Sequence, residues 1–122
     1  MYLPKFGSAS AAGQRYLAGP RRMPVYQFSQ RARLDLIEIA EYTLETWGID
    51  QANSYIDSLY DCFALLTMSP RIGRPCDKIR RGYRRIEHEK HAVFYRIEGD
   101  GVFISRILHH AMLPSRHMMD DS

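Results

Sequence analysis

The chain has 122 residues, 45% of them hydrophobic, so it is long enough for one compact domain but not for two. No apolar run approaches the roughly 20 residues that a membrane-spanning helix needs, which excludes a membrane-embedded protein and indicates a soluble one. The two cysteines, Cys62 and Cys76, are too few for a disulfide framework and favour a reduced, cytoplasmic chain.

The formal net charge of +3 hides an uneven distribution of charge along the chain. Residues 1–22 carry four basic side chains and no acidic one. Residues 23–68 hold two basic and seven acidic side chains, whereas residues 69–117 hold eleven basic and five acidic ones. A domain with opposite charge on its two halves suits an acidic protein partner as well as a phosphate backbone, so basicity alone does not identify the partner.

Residues 1–22 are rich in Gly, Ala and Ser and show no usable hydrophobic periodicity. They are too polar for the hydrophobic region of a secretory signal. We therefore expect a poorly structured N-terminal extension in residues 1–22, a folded domain in residues 23–117 and an acidic tail in residues 118–122.

The first elements of the domain are a short strand and a long helix. Pro24–Phe28 is β-leaning and predicts a strand, and Ser29 is a plausible N-cap for a helix over Gln30–Trp47 that ends at Gly48. The apolar positions of this helix fall on one face: Ala32, Leu36, Ile39, Ala40, Thr43 and Trp47. The opposite side carries Asp35, Glu38, Glu41 and Glu45. We interpret the first three of these acids as an exposed face that serves solvation.

A second helix is predicted to be capped by Asp50 and to run to about Met68. Its apolar stripe is Ala52, Tyr55, Ile56, Leu59, Phe63 and Leu66. Such a stripe is typical of a protein core. Because only Gly48 and Ile49 separate the two helices, they are expected to fold back as an antiparallel hairpin.

The second half of the chain predicts a sheet. Ser69-Pro70 ends the second helix, because a residue before proline disfavours helical backbone. Three strands follow: Tyr83–Glu87, His91–Ile97 and Val102–Leu108. The last two are joined by a hairpin signal at 99–101, and strong β-formers on both of their faces predict a covered centre with the helices as the only cover. The predicted fold is α+β with the order β-α-α-β-β-β, a helical hairpin packed on a small, mainly antiparallel sheet.

A basic stretch joins the second helix to the sheet. It contains Arg71, Arg74, Lys78, Arg80, Arg81, Arg84 and Arg85, with Asp77 as the one acid among them. Three interpretations fit this composition: a solvated charged edge, a metal-free ribonuclease surface in which arginine stabilises the transition state, and a docking surface for an acidic peptide. The five histidines have no metal-ligand spacing, and there is no phosphate-binding loop or nucleophile elbow, so we expect no metal and no cofactor.

Four segments together resemble the ParE toxins of the RelE/ParE superfamily. They are ARLDLIEIAEYTLETWG (32–48), SPRIGRPCDKIRRGYR (69–84), HAVFYRI (91–97) and ISRILHHAM (104–112). The resemblance covers about residues 23–117. It implies a bacterial, cytoplasmic toxin of a type II toxin–antitoxin system, silenced by a cognate antitoxin whose C-terminal segment wraps its surface. ParE members are associated with poisoning DNA gyrase and blocking replication, whereas RelE members cut mRNA in the ribosomal A site.

The residues that RelE-type nucleases require are incomplete here. Arg84 and Arg85 occupy the basic strand of that set, but Ala92 stands where an arginine is needed, and no tyrosine follows Tyr95. The ending RILHHAM is the one expected of ParE-like members. The resemblance therefore implies no catalytic residues and a toxin that is not an enzyme and binds gyrase.

The resemblance further implies that the antitoxin uses two surfaces. Its apolar side chains would pack on the helical hairpin, and its acidic ones would bind Arg74, Arg81, Arg84, Arg85 and Arg106. We expect no direct sequence-specific nucleic-acid binding. Two alternatives stay open: a ribosome-dependent mRNA endonuclease of the RelE type, and a non-toxic protein that binds the antitoxin as a co-repressor.

Overall fold

The computed structural model describes residues 25–113, which form two helices and a five-stranded sheet. The elements are β1 (Tyr26–Phe28), α1 (Gln30–Trp47), α2 (Ile49–Met68), β2 (Arg74–Pro75), β3 (Tyr83–His88), β4 (His91–Glu98), β5 (Gly101–His109) and a 3-10 turn (His110–Met112). The strand order is β1-β5-β4-β3-β2, with β1 parallel to β5 and every other neighbour antiparallel. The predicted fold class is therefore confirmed.

Some predictions concern residues at the margins of this structure. The predicted extension 1–22 and the acidic tail 118–122 lie outside the described residues. Strand β2 was not predicted, because it is only two residues long and one of them is Pro75. Within residues 25–113, neither helix is long and apolar enough to cross a membrane.

One glycine joins the two helices. Ser29 caps α1 as predicted, since its Oγ accepts a hydrogen bond from Ala32 N at 2.9 Å. Gly48 has φ +94°, its N–H donates to Leu44 O, and its carbonyl accepts from Ala52 N. Because this single residue ends α1 and starts α2, the turn is tighter than expected. The prediction that Asp50 caps α2 was wrong, since Asp50 lies inside the first turn of the helix.

The main core lies between the helical hairpin and one face of the sheet, which we call the inner face. Its buried members are Ala32, Ile39, Ile56, Leu59, Cys62, Phe63, Leu66, Val93, Tyr95, Val102, Ile104 and Ile107. Strand β4 is the middle strand, and residues 91–95 are buried on both faces. The predicted covered centre of the sheet is thus confirmed.

The opposite, outer face of the sheet also has a cover at one end. Ala92, Phe94 and Leu108 are buried there, and the partly buried side chains packed on them are Cys76, Ile79 and Leu113. The prediction that the helices are the only cover was therefore wrong. The stretch between β2 and β3 folds back over this face, and Leu113, which follows the 3-10 turn, packs on the same cluster.

The free edge of β5 is completed by side chains of the first helix and its cap. β1 pairs only with Val102–Ile104. Beyond that point, Ser29 Oγ donates to Ser105 O at 2.8 Å, and an Asp35 carboxylate oxygen accepts from Ile107 N at 2.9 Å. Asp35 is only 5% exposed, so the prediction that it belongs to an exposed acidic face was wrong. It replaces a strand partner for the backbone of β5.

Candidate partner-binding surfaces

The loop between α2 and β2 is fastened to the sheet by a tyrosine. The Tyr95 hydroxyl donates to Pro70 O at 2.7 Å and accepts from Gly73 N at 2.8 Å. The loop approaches so closely that a Cβ on Gly73 would lie 2.5 Å from the Tyr95 oxygen and 2.9 Å from Arg85 O. Only glycine fits at this position, which fixes the path of the basic loop.

Arg84 is committed to the same loop. One of its terminal nitrogens, Nη1, donates to Gly73 O at 2.6 Å and to Arg71 O at 3.3 Å. A charged donor that satisfies main-chain carbonyls makes stronger hydrogen bonds than a neutral one. The structure therefore places Arg84, predicted to bind a partner directly, as a residue that positions the loop.

Three basic side chains share one carboxylate, that of Glu87. Arg85 Nε lies 2.6 Å from Oε2, Arg74 Nη2 lies 3.4 Å from the same oxygen, and His110 Nε2 lies 2.8 Å from Oε1. Partial burial opposes ionisation of Glu87, but hydrogen bonds from Arg85 and His110 outweigh it and lower the pKa of this carboxyl. The charge of this side chain offsets part of the positive potential that the sequence suggested.

The five arginines predicted as one site do not form a single surface. Arg74 and Arg81 are exposed, and within residues 25–113 Arg81 makes no hydrogen bond or ion pair. Arg106 instead faces α1, where its Nε and Nη2 lie 2.9 and 3.2 Å from the two oxygens of Asp35. We use the name basic surface for the four that lie on or between β2 and β3, Arg74, Arg81, Arg84 and Arg85, of which Arg84 and Arg85 project to opposite faces of the sheet. Arg106 lies outside it, in a fork-shaped ion pair that joins β5 to the first helix.

A groove of about 670 Å³ opens at the other end of the hairpin. Its exposed walls include three large apolar or aromatic residues, Tyr42, Trp47 and Met112, which are 61%, 59% and 52% exposed. The charged Glu38, Glu89 and Lys90 also line it. Ile39 and Ile107 lie in its buried floor. Large apolar side chains grouped around a concave surface mark an interaction site more often than scattered ones do. We call this feature the aromatic groove.

Two buried polar groups complete the floor of the aromatic groove. His91 is 6% exposed, and its Nδ1 lies 2.6 Å from the Tyr55 hydroxyl. Burial lowers the pKa of His91 to about 4, and the nearby His109 ring adds to this effect. Burial raises the pKa of Tyr55 to about 12. At neutral pH both groups are therefore uncharged, and a hydrogen bond joins the neutral phenol to the neutral imidazole.

The positions that concern nuclease chemistry are filled by structural residues. Ala92 is fully buried and pairs in register with Glu87 and Leu108. Tyr95 has its hydroxyl bound to the loop, and β5 continues into His109, His110 and Ala111. Residues 25–113 contain no group of three His, Cys, Asp or Glu side chains placed to hold a metal ion.

Sequence reasoning missed the aromatic groove and the Asp35–Arg106 pair. Trp47 was placed on the apolar face of α1, yet its position at the helix end leaves it largely exposed. For Asp35 there was a usable signal, because it lies three residues after the buried Ala32 and four before the buried Ile39. An acid at that helical spacing is on the core-facing side and needs a partner.

Comparison with known proteins identifies the family. Residues 26–114 match the family model for the ParE toxin of the type II toxin–antitoxin system parDE. Toxin ParE1 of Mycobacterium tuberculosis is 39% identical over 94 residues, which cover 76% of this chain and 96% of that protein. Toxin ParE1 of Caulobacter vibrioides is 38% identical over 96 residues, which cover 79% and 99%.

Solved structures agree on the fold. A chain of the chromosomal ParDE system from P. aeruginosa superposes with a TM-score of 0.62 at 19% identity, covering 71% of this chain and 96% of that one. A chain of the RelBE2 toxin–antitoxin complex from Mycobacterium tuberculosis gives 0.51 at 23% identity, covering 73% and 100%. The family model and the two relatives show that the chain belongs to the ParE toxin family of type II toxin–antitoxin systems.

Proposed function

We propose that this ParE-family toxin stops growth in the cytoplasm by binding DNA gyrase and blocking replication, without being an enzyme, and that a cognate antitoxin neutralises it. Family membership supports the toxin role. The observation that favours a binding mechanism is at the predicted nuclease positions, where Ala92 is fully buried and Arg84 is held by the loop. Neither side chain is placed to stabilise charge on a scissile phosphate.

The aromatic groove and the basic surface support the antitoxin part of the proposal. Apolar residues of the antitoxin bind between Tyr42, Trp47 and Met112, where burial of aromatic area provides most of the affinity. Acidic residues of the antitoxin bind the exposed Arg74 and Arg81, where charge accelerates association and selects the partner.

One experiment with two readouts tests the proposed target. The purified chain is added to gyrase with plasmid DNA, and separately to a translation extract with a defined mRNA. We expect loss of supercoiling with accumulation of cleaved plasmid, intact mRNA, and reversal of the effect on gyrase when the cognate antitoxin is added first.

Three outcomes would contradict parts of this proposal. Intact supercoiling with mRNA cut during translation would establish the RelE-type nuclease instead. No effect in either assay, together with harmless expression in the absence of antitoxin, would indicate a non-toxic co-repressor. Loss of supercoiling that the antitoxin does not reverse would leave gyrase as the target but refute neutralisation at these surfaces.

A further inference from the structure

The α1 wall of the aromatic groove carries an acidic side chain beside an exposed ring. Glu38 and Tyr42 are four residues apart, so they lie on neighbouring turns of the same helix face, and both line the groove. Glu38 is exposed, and Tyr42 is 61% exposed. Within residues 25–113, neither side chain makes a hydrogen bond or an ion pair, and no lysine or arginine stacks on the Tyr42 ring. Both groups are therefore available to a partner.

The one lysine that lines the groove lies away from Glu38 along α1. The Lys90 ammonium is 5.7 Å from the centre of the Trp47 ring, and Trp47 is the last residue of the helix. The stretch of helix from Glu38 to Trp47 spans about 13 Å, which is longer than the Debye length of about 8 Å at physiological salt. The neighbour of Lys90 in the chain is Glu89, a second acid that lines the groove. Lys90 therefore does not cancel the negative charge of Glu38.

The buried floor of the groove adds no net positive charge. Arg106 is paired through two nitrogens with the two carboxylate oxygens of Asp35, so these charges offset each other. Burial lowers the pKa of His91 to about 4, so its imidazole is neutral at neutral pH, as is the Tyr55 phenol that contacts it. A cation that enters the groove is thus attracted by its wall and is not repelled by its floor.

We propose that the aromatic groove binds a lysine or arginine side chain of the antitoxin, with the cation on the Tyr42 ring and next to Glu38. This inference rests on the proposed function, in which an antitoxin segment enters the groove, and it adds the charge of that segment. A long cationic side chain suits the site, because its methylene stem is apolar and its charged head is attracted by a ring face and by a carboxylate. The antitoxin segment is then dipolar, with a cation at the groove and acids at the exposed Arg74 and Arg81.

Calorimetric affinities of the full chain for the cognate antitoxin test the role of the carboxylate. Glu38→Gln removes the charge and keeps the shape, and we expect it to weaken binding about fivefold. Glu41→Gln is the matched control, because Glu41 is an exposed acid of the same helix that lies outside the groove. The control should change the affinity less than about twofold, and a higher salt concentration should reduce the difference between the two variants.

Two substitutions of Tyr42 separate its ring face from its bulk. Tyr42→Leu removes the ring but keeps apolar bulk, and it should weaken antitoxin binding about fivefold. Tyr42→Phe keeps the ring face, and it should preserve the affinity to within about twofold. Because Tyr42 is 61% exposed, both variants should fold, and urea denaturation of the free chain checks this.

A double-mutant cycle identifies the cation on the antitoxin. Each lysine and arginine of the antitoxin segment is replaced by glutamine in turn, and each variant is measured with the unchanged toxin and with Glu38→Gln. We expect one antitoxin position at which the loss of affinity is about threefold smaller with Glu38→Gln than with the unchanged toxin, because the charge pair is already broken there.

The outcomes separate this inference from the function on which it rests. Tighter binding by Glu38→Gln would identify an acidic occupant, and a loss no larger than that of Glu41→Gln would identify an apolar one. Either result overturns the proposal and leaves antitoxin binding intact, as do equal losses in the two Tyr42 variants or a cycle without coupling at any antitoxin position. If the antitoxin does not bind the unchanged chain, neutralisation itself is refuted, and this inference falls with it.

Discussion

The aromatic groove and the basic surface differ in how far their side chains are held by contacts within the protein. Around the groove, Tyr42 and Trp47 are 61% and 59% exposed, and the Lys90 ammonium lies 5.7 Å from the centre of the Trp47 ring. On the basic surface, Arg84 is bound to main-chain carbonyls and Arg85 to Glu87. The arginines are the more prominent feature of the sequence, but in the structure Tyr42 and Trp47 are more exposed than Arg84 and Arg85.

Replacing Asp35 should have the largest effect on stability. Asp35 lines the aromatic groove and binds Arg106, the arginine that lies outside the basic surface. Asp35→Ala leaves Arg106 and the Ile107 N–H without their acceptor. We expect a loss of about 3 kcal/mol in the free energy of unfolding, measured by urea denaturation. Glu38→Ala, an exposed acid one turn away, is the control and should change stability by less than about 0.5 kcal/mol. Equal effects of the two variants would refute a structural role for the Asp35–Arg106 pair.

The floor of the aromatic groove should make stability depend on pH. His91 binds a proton near pH 6.5 when unfolded but only near pH 4 when folded, so the unfolded state holds more protons between these values. The contribution of His91 to the free energy of unfolding is therefore fully present above pH 6.5. It falls on acidification toward pH 4, by up to roughly 3 kcal/mol. Urea midpoints across this range measure the slope.

A variant without the imidazole isolates the contribution of His91. His91→Gln should be less stable at pH 7 but should show a shallower slope between pH 4 and 6.5. Some slope remains, because burial also lowers the pKa of His88. The other titratable groups facing His91 are Asp35, Tyr55, His109 and His110. An unchanged slope in the variant would assign the pH dependence to those groups instead.

The comparison also predicts which surface contributes more to antitoxin affinity. Trp47→Ala should weaken binding by about 2 kcal/mol, roughly thirtyfold, because a large ring at the centre of an interface is a typical hot spot. The free protein should lose little stability, since Trp47 is 59% exposed. Met68→Ala is the control, as Met68 is 74% exposed at the far end of α2 and lies outside the groove. Calorimetric affinities that fall equally in both variants would refute the groove as the main site.

The basic surface should contribute the smallest and most salt-dependent effect. Arg81→Gln removes an exposed charge and should weaken antitoxin binding by about 0.5 kcal/mol at low salt, mostly through slower association. Lys78→Gln, an exposed charge on the same stretch, is the matched control for general attraction. Association and dissociation rates over a range of salt concentrations distinguish the two variants. Loss of general attraction slows association, whereas loss of a specific contact also changes the dissociation rate. If Arg81→Gln costs more than Trp47→Ala, the ranking of the two surfaces is reversed.

Much of the fold followed from the sequence because its signals are local. The helical spacing of the apolar residues located α1 and α2, Ser29 marked the first cap, and the glycines at 99–101 marked the last hairpin. Helix periodicity, caps and tight turns depend on neighbours within a few residues, so a linear reading captures them. The absence of an arginine at Ala92 could be read in the same way.

What the tertiary structure decided involves residues far apart in the chain. Asp35 and Arg106 are 71 positions apart, and Asp35 also binds the backbone of β5 at Ile107, beyond the last residue that pairs with β1. The basic stretch looked like one surface, but contacts with Gly73 and Glu87 divided its arginines between structural and exposed roles. Burial and pairing are properties of the packed molecule, so the sequence determined the chemical groups, and only the fold determined which of them remain free to bind.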